Sequence, residues 1–411
     1  MNILLINHYA GAPKYGMEFR PYYLGREWVK QGHNVSIIGA NFSHLRYAHP
    51  LIEKDLEKEI IEGISYYWLK TPSYNSSGIK RIINMLTFVL KLNIYAKKIS
   101  NQLHPDVVIA SSTYPLDIYP AKKITKYAKA KLIYEVHDLW PLSPIEIGGY
   151  SKFHPYILLL QKAENDAYRF SFKVVSLLGN AKQHMIDHGM HPHKFIHIPN
   201  GYDKNEWDPK NIMDIPIEHE GLFRKLKEEN KFIIGFSGGH TPSTAMETFI
   251  DAANILKNRN EIAFVLIGDG VSKDSYMLRC KDYNLTNVFF LPPVNKMQIP
   301  KLVGNFDIAY IGGVHSILHK YGTSANKMTD YMLCKKPILF SVDEPNSVIE
   351  KVNCGIRVTA EDPEAVASAV MKFYSMSNEE RDEIGKRGYD YAINNLGYDQ
   401  LAARFIKEIF N

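Results

Sequence analysis

Short apolar runs and amphipathic stretches of helical period alternate along the whole chain. Runs that read as strands fall at Asn2–Asn7, Asn34–Gly39, Ile64–Leu69, Val107–Ser111, Lys131–Val136, Lys173–Ser176 and Phe195–Ile198. Between them the spacing predicts helices, for example over Arg20–Gln31, Ile79–Leu103, Leu116–Lys129 and Tyr156–Ser171. The pattern restarts at Phe232–Ser237 and continues through Ala263–Ile267, Val288–Leu291, Ile308–Ile311, Ile338–Val342 and Gly355–Val358. Strands alternating with helices predict parallel sheets in doubly wound α/β domains. The polar stretch Asp208–Asn230, with two prolines and a charged helical tail over Phe223–Glu229, reads as the connection between two such domains. The predicted domains are 1–200 and 201–394, with a last helix, about 395–411, packing back on the first. Two open α/β domains facing each other enclose a deep cleft, and ligands bind beyond the carboxyl ends of the strands.

Length and composition sharpen this. At 411 residues, two domains are the default. Cys280, Cys334 and Cys354 have no metal-ligand spacing and cannot all pair, which fits a reducing compartment. The opening Met1–His8 has no basic leader and reads as a first buried strand rather than a signal peptide. No stretch approaches the ~18 apolar residues of a membrane span.

Charge is uneven. Residues 1–200 carry 24 Lys+Arg against 15 Asp+Glu, a net +9, while the remainder carries 25 against 29, a net −4. No acidic residue occurs between Glu62 and Asp106, whereas Lys70, Lys80, Arg81, Lys91, Lys97 and Lys98 do. A basic amphipathic helix within segment 70–98 suits an anionic membrane surface; a core helix with a solvated basic face is the other reading. The overall balance is far from that of a basic nucleic-acid-binding domain.

Chemistry concentrates at the predicted strand ends. Tyr321–Met332 combines a small-residue loop, an N-cap candidate at Thr323 or Ser324, and a short helix. The amides of a helix start favour phosphate, and Lys327 adds a full charge there. Asp330 lies within a turn of Asn326 and Lys327, where a carboxylate suits a ribose diol. Loops with Gly11 and Gly16, with His137 and Asp138, with Gly238, Gly239 and His240, and with Gly268-Asp269-Gly270 follow other strands. None carries the dinucleotide-binding glycine pattern or a Walker loop. His137 is either a hydrogen-bonding or proton-transfer group in the cleft or a turn histidine bonded to backbone. His184, His188, His191, His193 and His197 are taken as surface and loop residues, because none has a zinc-type arrangement with cysteine.

The ordered set of segments resembles the retaining, nucleotide-sugar-dependent glycosyltransferases of family four, with the GT-B fold. His137-Asp138 resembles that family's central histidine motif. Ile198-Pro199-Asn200-Gly201-Tyr202-Asp203 resembles its Pro-Asn-Gly-Val-Asp signature, and Ile267-Gly268-Asp269-Gly270 its second-domain Gly-Asp-Gly turn. The opening loop and the Asn326-Lys327…Asp330-Tyr331-Met332 segment are most similar to bacterial O-antigen fucosamine transferases. Three positions depart from the pattern. Asp330 matches the second carboxylate of the usual Glu-seven-Glu pair, but Gly322 stands at the first. Gly239 and Thr244 stand where the family often has Arg and Lys.

The resemblance implies a donor-binding second domain and an acceptor-side first domain. It implies transfer from a UDP-sugar, with an acetamido or deoxy sugar suggested by the missing carboxylate. The acceptor is expected to be lipid-diphosphate-linked or an oligosaccharide, in bacterial surface polysaccharide synthesis on the inner face of the cytoplasmic membrane. Donor contacts are expected at Gly238, Gly239, His240, Ser324, Ala325, Asn326, Lys327 and Asp330. Catalytic roles fall to His137 and Lys327, and acceptor contacts to Gly11, Gly16, Glu18 and Arg20. No metal or cofactor is expected. A nucleotide-sugar epimerase and a non-catalytic, membrane-peripheral assembly protein are the competing readings.

Overall fold

The computed structural model describes residues 1–74 and 78–410, so residues 75–77 of the basic segment lie outside the described residues. The chain divides into two units: Met1–Asn200 with Tyr398–Asn411, and Gly201–Gly397.

The first unit runs β1 (Asn2–Ile6), α1 (Arg20–Lys30), β2 (Asn34–Ala40), β3 (Glu57–Ile61), β4 (Ile64–Leu69), α2 (Ile79–Leu103), β5 (Val107–Ala110), α3 (Ile118–Ala128), β6 (Lys131–Val136), α4 (Leu142–Glu146), α5 (Pro155–Phe170), β7 (Lys173–Ser176), α6 (Lys182–Asp187) and β8 (Phe195–His197). Its sheet has the order β3-β4-β2-β1-β5-β6-β7-β8, parallel except for β3 against β4. The parallel strands inside the sheet are buried because both faces are covered, as a parallel sheet requires. Ile3, Leu5, Ile37, Ile109 and Ile133 pack beneath α1 residues Leu24 and Trp28.

The second unit runs α7 (Ile217–Glu228), β9 (Phe232–Ser237), α8 (Met246–Ile255), β10 (Ile262–Ile267), α9 (Lys273–Asp282), β11 (Val288–Leu291), α10 (Ile299–Gly304), β12 (Ile308–Gly312), α11 (Asn326–Leu333), β13 (Ile338–Ser341), α12 (Val348–Val352), β14 (Gly355–Val358), α13 (Pro363–Tyr374) and α14 (Asn378–Asn395). Its all-parallel sheet has the order β11-β10-β9-β12-β13-β14. Separate apolar clusters on its two faces, one with Phe306, Tyr331 and Phe340 and the other with Phe249, Phe264 and Val370, make it doubly wound.

The last helix, α15 (Tyr398–Phe410), belongs to the first unit. Trp28 Nε1 donates to Ala402 O at 3.1 Å, and the Trp28 ring meets Phe405 edge-on at 5.2 Å. Burial of two such rings is worth several kcal/mol at ~25 cal/mol per Å².

Strand β3 is the element that the apolar pattern misses. Its sequence, Glu57-Lys58-Glu59-Ile60-Ile61, carries charge because it is the antiparallel edge of the sheet, where charge discourages pairing with another chain.

Candidate active site

In the first unit, the start of α1 and the carboxyl ends of β5 and β6 converge on one buried carboxylate that the motif reading overlooked. Glu135, on β6, accepts from Arg20 Nε at 3.1 Å and Nη2 at 2.9 Å. Both side chains are 1% exposed. Arg20 also donates to the carbonyls of Ile198 (2.9 Å) and Pro199 (2.7 Å) and to Asn200 Oδ1 (3.3 Å). It therefore fixes the Pro199-Asn200 turn to the start of α1. The other Glu135 oxygen accepts from Ser111 Oγ at 2.6 Å and lies 3.3 Å from His137 Nε2. Ser111 Oγ is in turn 3.0 Å from His137 Nε2. Burial raises the Glu135 carboxyl pKa, but the Arg20 charge and the His137 and Ser111 hydrogen bonds hold it down to about 2. For His137, burial works to lower the pKa, but the Glu135 partner and the Glu18 charge outweigh it and raise it.

These contacts revise several expectations. Arg20 is a buried positioning residue, not an acceptor contact at the loop surface, because its donors are held by Glu135 and the β8 turn. The Gly11 and Gly16 amides are also committed: Gly11 N–H donates to Glu18 O at 2.7 Å and Gly16 N–H to Ala12 O at 2.8 Å. They pin the loop rather than face a ligand. Glu18 is half-buried beside this loop, with its charge acting on His137 and Asp138.

In the second unit, the β9 and β10 ends interlock backbone to backbone. Gly238 N–H donates to Ile267 O (3.0 Å) and His240 N–H to Asp269 O (2.8 Å). Gly268, at φ 147°, has no room for a side chain because a Cβ would run into the Gly238 carbonyl. Helix α11 is tied to the same end. The Tyr331 hydroxyl accepts from Ser237 N–H at 2.9 Å. A Cβ on Gly238 would lie 2.7 Å from Lys327 Nζ, so glycine there admits the lysine.

Lys327 Nζ stands 4.1 Å over the Phe236 ring. Among the described residues no carboxylate ion-pairs with it, and its side chain is half-buried. Burial lowers its pKa to about 8, against the charge of Asp330. The N-cap is Ala325, which has no capping group. This corrects the expected cap at Thr323 or Ser324: Thr323 Oγ1 instead donates to Glu344 Oε2 at 2.6 Å. Burial pushes the Glu344 carboxyl up to about 7. Among the described residues, the N–H groups of Ala325, Asn326, Lys327 and Gly239 have no acceptor. His240 is buried, with both ring nitrogens unpartnered, and burial lowers its pKa to about 4, so it is neutral near pH 7. Asp330 is buried, with Oδ1 held by Lys296 Nζ at 2.6 Å. Of the expected donor contacts, Gly238, Gly239, His240, Lys327 and the α11 start thus fall in one neighbourhood, while the Gly238 and His240 amides are used within the loops.

One group among the described residues has metal-compatible proximity. Ligand atoms of Glu164, His184 and His188 lie within 4.8 Å of one another. Glu164 lies on α5 and His184 on α6, so His184 is a helix residue rather than a loop group, while His188 stands in the turn that follows α6; both histidines are half-buried.

Two Rossmann-like domains, each with loops at the carboxyl ends of an open, largely parallel sheet, define the GT-B architecture. Residues 15–206 match the model of glycosyltransferase family 4, and residues 219–391 match that of glycosyl transferases group 1. Together they leave only the chain ends and a short connection uncovered. The chain is a GT4-like glycosyltransferase of GT-B fold. It is similar to Anabaena HepE in complex with UDP and glucose (TM-score 0.67, 16% identity, all of both chains covered). It is also similar to a glycosyltransferase from Rickettsia africae (TM-score 0.69, 18% identity, 100% and 98% covered). A third similar structure is WaaG, a glycosyltransferase involved in lipopolysaccharide biosynthesis (TM-score 0.64, 13% identity, 99% of both chains covered). No curated protein matches the chain.

Proposed function

We propose that the protein is a retaining glycosyltransferase that moves a sugar from a UDP-sugar to a lipid-linked or saccharide acceptor in bacterial surface polysaccharide synthesis. The observation that carries this reading is Lys327: an ammonium with no carboxylate partner among the described residues, at an uncapped helix start, against Gly238. Such groups suit a diphosphate whose charge grows as it leaves. Neighbouring structures that hold UDP, UDP-glucose or UDP-2-fluoro glucose support a nucleotide-sugar donor. In this reading Lys327 and the Ala325, Asn326, Lys327 and Gly239 amides offset the leaving diphosphate in place of a divalent cation. Asp330 holds the ribose and His137 orients the sugar. Gly322 stands where relatives have a carboxylate, which favours an acetamido or deoxy sugar, as in the O-antigen branch.

Membrane attachment through α2 belongs to the same proposal. Among the described residues no helix is long and apolar enough to cross a membrane. The outer row of α2 (Ile79, Ile83, Leu86, Leu90 and Ile94) is exposed, with Lys80, Lys97 and Lys98 also exposed on the helix. Apolar residues flanked by cations suit an anionic bilayer. Lys91, expected to join them, is instead 2.8 Å from Asp55. Co-sedimentation with phosphatidylglycerol vesicles should fall when Ile83 and Leu90 become serine; undiminished sedimentation contradicts it.

The enzymatic proposal is tested by thermal shift and UDP release over a panel of UDP-, GDP- and dTDP-sugars. A UDP-sugar should stabilise the protein and turn over only with acceptor present. Interconversion of sugars without acceptor identifies an epimerase instead, and no nucleotide binding identifies a non-catalytic protein.

A further inference from the structure

Helix α2 has its polarity displaced. Its inward row is Met85, Phe88, Leu92, Ala96 and Ile99, all buried. Extended one turn toward the start, that row reaches position 81, where the helical period calls for another apolar residue. The chain has Arg81 there. The guanidinium donates from Nε to Tyr9 Oη at 3.3 Å and lies 5.6 Å from the Tyr9 ring centroid. Among the described residues Nη1 and Nη2 have no acceptor and no carboxylate forms an ion pair with Arg81; the nearest acidic positions in sequence are Glu62 and Asp106. Asn75, Ser76 and Ser77 carry no charge.

The surroundings are rings from several strand ends. Tyr9 follows β1, His44 follows β2 and Tyr74 follows β4, with His44 Nδ1 2.8 Å from Tyr74 Oη. The Tyr9 and His44 rings meet edge-on at 5.6 Å. Tyr156, in the first turn of α5, reaches Met85 Sδ at 4.0 Å. His8 stacks on Tyr9 and Phe88, and burial lowers its pKa to about 3, so it is neutral. A half-buried guanidinium whose remaining donors have no acceptor among the described residues is open to an anion. On the opposite side of the same helix turns stands the exposed apolar row that begins at Ile79.

We propose that Arg81, at the edge of these rings, binds the phosphate of an acceptor carried on an apolar chain, while the outer row of α2 lies in the bilayer that holds that chain. The guanidinium fork meets phosphate oxygens in two parallel hydrogen bonds, which an ammonium cannot reproduce. This deepens the transferase reading and rests on it for the acceptor being lipid-linked.

The test uses the intact protein in excess UDP, so that the second-unit pocket is filled. It is titrated with farnesyl diphosphate, farnesol and inorganic pyrophosphate, followed by calorimetry. Farnesyl diphosphate should bind about tenfold or more tightly than farnesol, as charge-assisted hydrogen bonds imply. Arg81→Met should erase that preference, and Arg81→Lys should keep only part of it. Equal binding of farnesyl diphosphate and farnesol by the wild type, or an undiminished preference in Arg81→Met, overturns the proposal. If Arg81→Met does not fold, the wild-type preference and Arg81→Lys carry the test. Binding to phosphatidylglycerol vesicles separates the two sources of phosphate. A loss there as large as the loss of diphosphate preference assigns Arg81 to bilayer headgroups and also overturns it. Failure to bind UDP, measured by itself, defeats the transferase reading and leaves the farnesyl comparison to stand on its own.

Discussion

The strand ends of the two units handle charge in opposite ways. In the first, Arg20 and Glu135 are sealed from solvent, and Ser111 and His137 occupy the other carboxylate oxygen. In the second, Lys327 has an aromatic face and no ion-pair partner among the described residues, at a helix start whose N-cap is alanine. The first arrangement is complete without a ligand, and its chemistry holds loops in place. In the proposed reading the second is incomplete, and an anion completes it. A buried pair is costly to break from one side, whereas an unpaired cation costs little to remove. The two regions therefore answer mutation in opposite currencies, stability against activity.

The largest effect should come from Glu135→Gln. It leaves Arg20 buried without its counter-charge, which costs about 3–5 kcal/mol, read by urea denaturation. The depressed Glu135 pKa gives a second reading. Its contribution to stability is present above the unfolded carboxylate value and is lost as pH falls from about 4.5 toward about 2. The Gln variant should lack that acid-dependent part. A variant as stable as wild type would dissolve the contrast between the units.

Lys327→Ala should do the reverse. Activity should drop by about 10²–10³, the range for losing one donor to a developing oxyanion, while the unfolding midpoint stays level or rises. A matched fall in both would make Lys327 a structural group like Arg20.

A smaller effect sharpens the same point. With the Lys327 pKa lowered to about 8, the free enzyme loses this charge as pH rises through that value. The pH profile of kcat/KM for donor should bend downward there, and Lys327→Arg should move the bend out of range. The smallest expected change is Ala325→Asp. A new cap should stabilise α11 by about 1 kcal/mol yet weaken UDP binding, because the cap and the diphosphate compete for the same amides.

Much of the frame was legible in the chain. The period of Ile79–Leu103 gave both ends of α2, and the buried strands Ile64–Leu69, Lys131–Val136 and Phe232–Ser237 stand where apolar runs mark them. What escaped depends on partners remote in sequence. Glu135 sits inside an apolar strand, and its counter-charge is Arg20, 115 positions away. Thr323 has the right chemistry for a cap, but Glu344, 21 positions on, takes its hydroxyl. The charged β3 is a strand by virtue of its neighbour β4, not its own pattern.

The central claim is that Lys327 and the start of α11 hold the diphosphate of the donor. A crystal structure with UDP tests it most directly. The account predicts phosphate oxygens within hydrogen-bond distance of Lys327 Nζ and the Asn326 and Lys327 amides, with the ribose on Asp330. UDP bound elsewhere on the second unit, with Lys327 still lying over Phe236 and touching no phosphate, would contradict it.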